Sequence, residues 1–207
     1  MFILVFLLGL AFGQDVENPT INWEELTQSV CTDAKKPKHL VPVAYMISEF
    51  HTELGLQFAG YHTEITKLYT DIQREEDPYA RPERVRLSVA ITVIIPIVTK
   101  ERMRLKRVGS RYKGDIRALQ NGLVTDNFGL KGRPKKREIS AACSYVMTKA
   151  YESIAQAIAV RYKCQQVIKS ELEAYEEAKR KYKEREETLE IIKNLVLDQP
   201  LDQLPDP

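Results

Sequence analysis

Val85-Arg86-Leu87-Ser88-Val89-Ala90-Ile91-Thr92-Val93-Ile94-Ile95-Pro96-Ile97-Val98 is the stretch on which the fold turns. Val85, Leu87, Val89, Ile91, Val93, Ile95 and Ile97 fall on alternate positions and most are β-branched, the pattern of a strand. A strand needs a partner, and the mature chain offers no comparable run; Pro96 would also remove a ladder donor. A helix satisfies its own backbone hydrogen bonds and tolerates apolar side chains around most of its circumference when it is buried. The stretch therefore reads as a buried central helix. Arg84, Arg86 and Lys100 bracket an apolar run too short to cross a bilayer.

Downstream, Leu105, Val108, Tyr112, Ile116, Leu119 and Leu123 keep a helical period,. Residues 121–137 lose it and gain Gly122, Gly129, Gly132 and Pro134, which predicts a long basic loop,. A last helix is expected from about Ser140 to Leu197, its far half dense in charge. Upstream, Val43, Ile47, Phe50, Leu54, Phe58, Tyr61, Ile65, Leu68 and Ile72 recur at threes and fours, predicting a helix from Pro42 to about Glu76,. Asn22 followed by Glu25 forms a capping box for a short first helix ending near Ala34. The expectation is an all-α protein: an elongated antiparallel helical bundle of three long helices plus a short N-terminal helix.

The chain of 207 residues begins with an apolar run, Met1 to Gly13, that reads as a secretory signal peptide with cleavage after Gly13,. Residues 14–197 are then the helical domain, and 198–207 an acidic, proline-punctuated tail expected to be disordered. Secretion would place Cys31, Cys143 and Cys164 in an oxidising compartment. On one helix Cys143 and Cys164 would stand roughly 31 Å apart, beyond disulfide reach. Cys31 is therefore expected to pair with Cys143 or Cys164. The third thiol is left either buried or available to bridge a homodimer. Asn18-Pro19-Thr20 is disqualified as a glycosylation acceptor by its proline.

The whole-chain net charge of +2 conceals a concentration, because residues 81–137 hold sixteen Lys or Arg against four acids. Arg102, Arg104, Lys106, Arg107, Arg111, Lys113 and Arg117 crowd one predicted helix; Lys131, Arg133, Lys135, Lys136 and Arg137 crowd the loop after it. Together they predict a basic surface for an acidic protein or a polyanion such as a glycosaminoglycan or anionic lipid. The competing expectation is that Glu171 to Glu190 packs alongside and neutralises it. Lys131-Gly132-Arg133-Pro134-Lys135-Lys136-Arg137 resembles an AT-hook, a resemblance that implies minor-groove DNA binding if the leader is not a signal peptide. On the secretory route the same residues offer a convertase site, with cleavage after Arg137.

An eleven-residue echo, Phe50-His51-Thr52-Glu53-Leu54 answered by Tyr61-His62-Thr63-Glu64-Ile65, resembles the amphipathic repeats of exchangeable apolipoproteins,. With the aliphatics of 85–98 it supports an alternative, a secreted carrier of a fatty acid or other apolar ligand. Catalysis finds little footing. His51 and His62 lie about 16 Å apart along one helix, too far to share a metal. Gly109 and Gly114 have a phosphate loop's spacing but are followed by Asp115 rather than lysine. No catalytic residue, metal or cofactor is expected.

Overall fold

The computed structural model describes residues 22–75 and 80–197, and every element in them is helical. The leader with Gly13 and the tail from 198 lie outside the described residues. Four α-helices follow in order: α1 (Trp23–Cys31), α2 (Val41–Arg74), α3 (Arg81–Gln120) and α4 (Lys136–Leu197), with single 3₁₀ turns at Pro37–Leu40 and Asp126–Phe128. The stretch 85–98 is helix. Its alternation hides a second period: Leu87, Ile91, Ile94 and Val98 are buried at helical spacing, while Val85, Val89, Val93 and Ile97 face outward.

Two boundaries differ from expectation in ways that matter for function. Helix α1 stops at Cys31, three residues short of Ala34. Its start follows the capping rule, Asn22 Oδ1 accepting from the Glu25 amide at 3.1 Å,. Helix α4 begins at Lys136 rather than Ser140, because the Glu138 carboxylate accepts the Lys135 amide at 2.6 Å and so caps the helix from inside its first turn,. Lys136 and Arg137 are thus helical, not part of the loop. Arg137 sits in the first turn with buried Ile139 two residues on, so cleavage after it would have to unwind that turn.

The chain forms two compact units. The first contains the described residues up to Val43 and Ile116–Tyr151. Its core is Leu40, Val43, Ile116, Leu119, Phe128, Leu130, Ile139, Val146 and Met147, each worth about 1.5–3 kcal/mol when fully buried. A Cys31–Cys143 disulfide staples it, Cα atoms 5.5 Å apart. Of the two pairings the spacing allowed, this is the one adopted. Trp23 stacks at a tilt on Tyr151, ring centres 5.5 Å apart.

The second unit contains the described residues of Ala44–Asp115 and those from Glu152 on. Ser48 meets Gly109 and Gln73 meets Ser88, so α2 and α3 run antiparallel. Gln57 meets Arg161 and Glu75 meets Lys179, so α4 runs parallel to α2. Phe58, Ile65, Leu87, Ile91, Leu105, Ala157, Ile168 and Tyr175 fill the space between them. Cys164 is free and buried in this core, and burial pushes its thiol pKa up,. It behaves as a small hydrophobe and presents no thiol to a second chain. At the level of Tyr175 and Lys179 both side chains hold Glu75, where α2 ends. Beyond that, every residue from Lys183 to Leu195 is exposed.

Candidate functional site

The basic residues of α3 divide according to what the helix does at each turn. Glu101, Leu105 and Gly109 face inward, Arg104, Val108 and Tyr112 are half-buried beside them, and the sector opposite is open. Arg102, Lys106, Arg107, Arg111 and Lys113 are exposed. None of the five joins an ion pair among the described residues. Helical rotation puts Arg102, Lys106 and Lys113 within about 40° of one another, a single row. Arg107 and Arg111 form a second row, about 140° around the helix from the first. Arg117, also exposed, lies one turn further on, in the first unit.

None of the ion pairs formed by the acids expected to neutralise this helix reaches these five cations among the described residues. Arg180 takes Glu177 and Glu184, Lys181 takes Glu177, and Lys183 reaches Glu187, all within α4. Glu171 does reach α3, but at Arg86, 3.9 Å away, which is roughly 24 Å along the helix from Arg102,. The charge on the outer face of α3 is left to solvent.

Arg104 behaves differently and leaves the basic set. It turns inward, its guanidinium on the Glu101 carboxylate at 2.9 Å (Nε) and on the Ser153 carbonyl at 2.8 Å (Nη2). A second amino group donates to Ser153 Oγ. Ser153 in turn faces His51 Nε2 at 3.0 Å, and His51 Nδ1 faces the Ile47 carbonyl at 2.8 Å. A carbonyl can only accept, so Nδ1 carries the proton and Nε2 accepts from the Ser153 hydroxyl. The chain of donors therefore runs Arg104 to Ser153 to His51 to Ile47. His51 is fully buried. Burial lowers its pKa below the ordinary 6.5, the Ile47 hydrogen bond opposes that, and the Arg104 charge adds to the lowering,. Serine beside histidine suggests a nucleophile and base. Here the Arg104 donors that could meet a developing negative charge are spent on Glu101 and on the Ser153 carbonyl, and the network joins α2, α3 and α4.

The cations of the loop and of the first turn of α4 sit in the first unit. Lys131, Arg133, Lys135, Lys136 and Arg137 are all exposed, and Gly132 takes φ 63°, a conformation that suits glycine,. Lys136 and Arg137 meet Lys35 across a cleft of about 420 Å³ whose other walls include Thr32, Ser140 and Ser144. The disulfide explains this meeting: joining Cys31 to Cys143 brings the residues just after the one beside those just before the other. The Ser140 hydroxyl tightens the joint by donating to the Cys31 carbonyl at 2.9 Å. Lys35 is 3.8 Å from Asp33, an exposed pair of little strength,. The cleft can hold an anionic group between three cations and neighbouring hydroxyls.

The α3 face and this cleft belong to separate units. Sequence reading missed Lys35, whose place follows only from the choice of Cys143 over Cys164. It missed the Arg104–Ser153–His51 chain too, since nothing in the spacing of residues 51, 104 and 153 announces their meeting. Among the described residues no three His, Cys, Asp or Glu side chains gather to hold a metal ion, and no helix is long and apolar enough to cross a membrane. The chain has no match among protein-family models, curated proteins or solved structures.

Proposed function

We propose that this is a secreted, non-enzymatic binding protein that takes an acidic partner or polyanion on the exposed cations of α3, with the Lys35–Lys136–Arg137 cleft as a second, independent anion site. One observation carries the reading: Arg102, Lys106, Arg107, Arg111 and Lys113 stand exposed without an ion pair among the described residues, while the ion pairs of the α4 acids Glu171, Glu173, Glu177, Glu184 and Glu187 are made with Arg86 and with cations of α4 itself. Like charges four residues apart, Arg102 with Lys106 and Arg107 with Arg111, repel and lower stability. A partner of opposite charge relieves that repulsion. Attraction of this kind is screened by salt.

Heparin-affinity chromatography tests the reading. The protein should be retained at low salt and elute on a gradient. Changing Arg102, Lys106 and Lys113 to alanine should shift elution to lower salt, and changing Lys35, Lys136 and Arg137 should produce a separate shift. Passage of the unaltered protein through the column at low salt would refute the proposal. The apolar-carrier alternative has less to stand on, because Leu87, Ile91, Ile94 and Val98 are consumed by the core.

A further inference from the structure

The outward half of the 85–98 stretch has no place in the core. Val85, Val89, Val93 and Ile97 are 52, 57, 58 and 43 % exposed. At spacings of four they form one ridge about 18 Å long. A helix apolar on both sides is normally covered on both sides, and a contiguous exposed aliphatic ridge marks an interaction surface. Continuing along the same line of α3, helical rotation brings Lys100, Arg107 and Arg111 within about 30° of the ridge's midline. One face of one helix is thus aliphatic for its first part and cationic for its second. Arg86, which flanks the ridge, is held by Glu83 and Glu171 at 3.6 and 3.9 Å.

We propose that this face of α3 docks on an anionic lipid bilayer, the ridge entering the boundary between headgroups and acyl chains and the cations meeting headgroup phosphates. The proposal rests on the polyanion reading and names its partner. Charge complementarity selects the occupant. A second copy could cover the valines but would bring further positive charge and no counter-charge from this face, whereas an anionic bilayer satisfies both halves at once. The helix would lie on the membrane, since none in the described chain is apolar enough to span one.

Flotation of the full chain with phosphatidylserine-containing and pure phosphatidylcholine vesicles, run beside heparin chromatography, is the test. The protein should float with the anionic vesicles only. Val89→Asp with Val93→Asp should weaken flotation about tenfold or more while leaving heparin retention intact. Val89→Thr with Val93→Thr, which keeps the side-chain shape, should weaken it in the same direction. Arg107→Ala with Arg111→Ala should weaken both readouts. Retention on heparin without flotation would overturn the membrane inference and leave the polyanion reading standing; loss of both would overturn both. A dimer in light scattering that the valine changes dissociate would make a second copy the occupant and overturn the inference.

Discussion

Replacing Gly109 with alanine should destabilise the protein, although the same change elsewhere on the helix should do the opposite. Glycine inside a helix costs about 1 kcal/mol relative to alanine, so Gly→Ala ordinarily helps. At Gly109 the new methyl would stand 3.0 Å from Thr52 Oγ1 and 3.2 Å from the Ser48 carbonyl oxygen. The carbonyl belongs to the backbone of α2 and cannot swing away, and Thr52 is β-branched with few helical rotamers. Relief requires α2 and α3 to separate. That strains the bond from buried Ser48 Oγ to the Gly109 carbonyl, 3.0 Å long. Overpacking costs about 1–3 kcal/mol and a weakened buried hydrogen bond about 1. Set against the propensity gain of about 1 kcal/mol, the net is a loss of about 1–3 kcal/mol. Gly114, five residues on, has nothing within 4 Å of a new Cβ and serves as the control. Gly114→Ala should gain up to about 1 kcal/mol. Thermal melts followed by circular dichroism should then show midpoints moving in opposite directions, by about 2–4 °C per kcal/mol for a chain of this size. Equal stabilisation by the two substitutions would refute the close approach of α2 and α3.

Tyr61 is buried with a hydroxyl that finds no hydrogen-bond partner among the described residues, and burial above all pushes its pKa up to about 12; Tyr61→Phe should raise stability by about 1 kcal/mol in urea denaturation. Cys31→Ser opens a loop of sequence separation 112, a loss of about 4–5 kcal/mol in the loop-entropy account, and melting followed by the fluorescence of Trp23, the chain's single tryptophan, should show it, whereas Cys164→Ser should leave no reductant-sensitive difference from the parent. His51 is held neutral in the folded state, its pKa below 6.5. The contribution from keeping it neutral is therefore complete above pH 6.5 and is lost as pH falls below it, by at most about 1.4 kcal/mol per pH unit. His51→Gln should flatten the stability profile between about pH 6.5 and 5, above the range in which Glu75, its pKa lowered by hydrogen bonds from Lys179 and Tyr175, begins to titrate; an unchanged profile would exclude His51 as its source.

Much of the architecture is written in periodicity. Val43 to Ile72 announces α2 because one side of that helix is buried and the other is not, and the absence of a second β-branched run rules out a sheet. The basic character of α3 is also plain. What periodicity cannot give is direction at a single residue. Arg104 sits among exposed cations in sequence, yet the neighbouring Glu101 and a serine far along the chain turn it inward. Gly109 looks like a fragment of a phosphate loop because spacing is all that the sequence offers; its role depends on α2 lying against it. The start of α4 moved because Glu138 caps the helix from within, a local hydrogen bond that outweighs the glycine and proline preceding it.

The length of α4 conceals a gradient of stability. Up to Tyr151 it belongs to the first unit and from Glu152 to Tyr175 it shares the core of the second; from Lys183 to Leu195 it has no buried face, and its own ion pairs are worth only a few tenths of a kcal/mol each,. A free segment of roughly 20 Å is close to the length at which helices in water are marginal. Amide hydrogen exchange should therefore run through the last turns in seconds to minutes and slow by orders of magnitude before Tyr175 is reached. The continuous rod is two things joined end to end: a structural member fixed by its neighbours, and a helix–coil equilibrium whose position is set by temperature and salt.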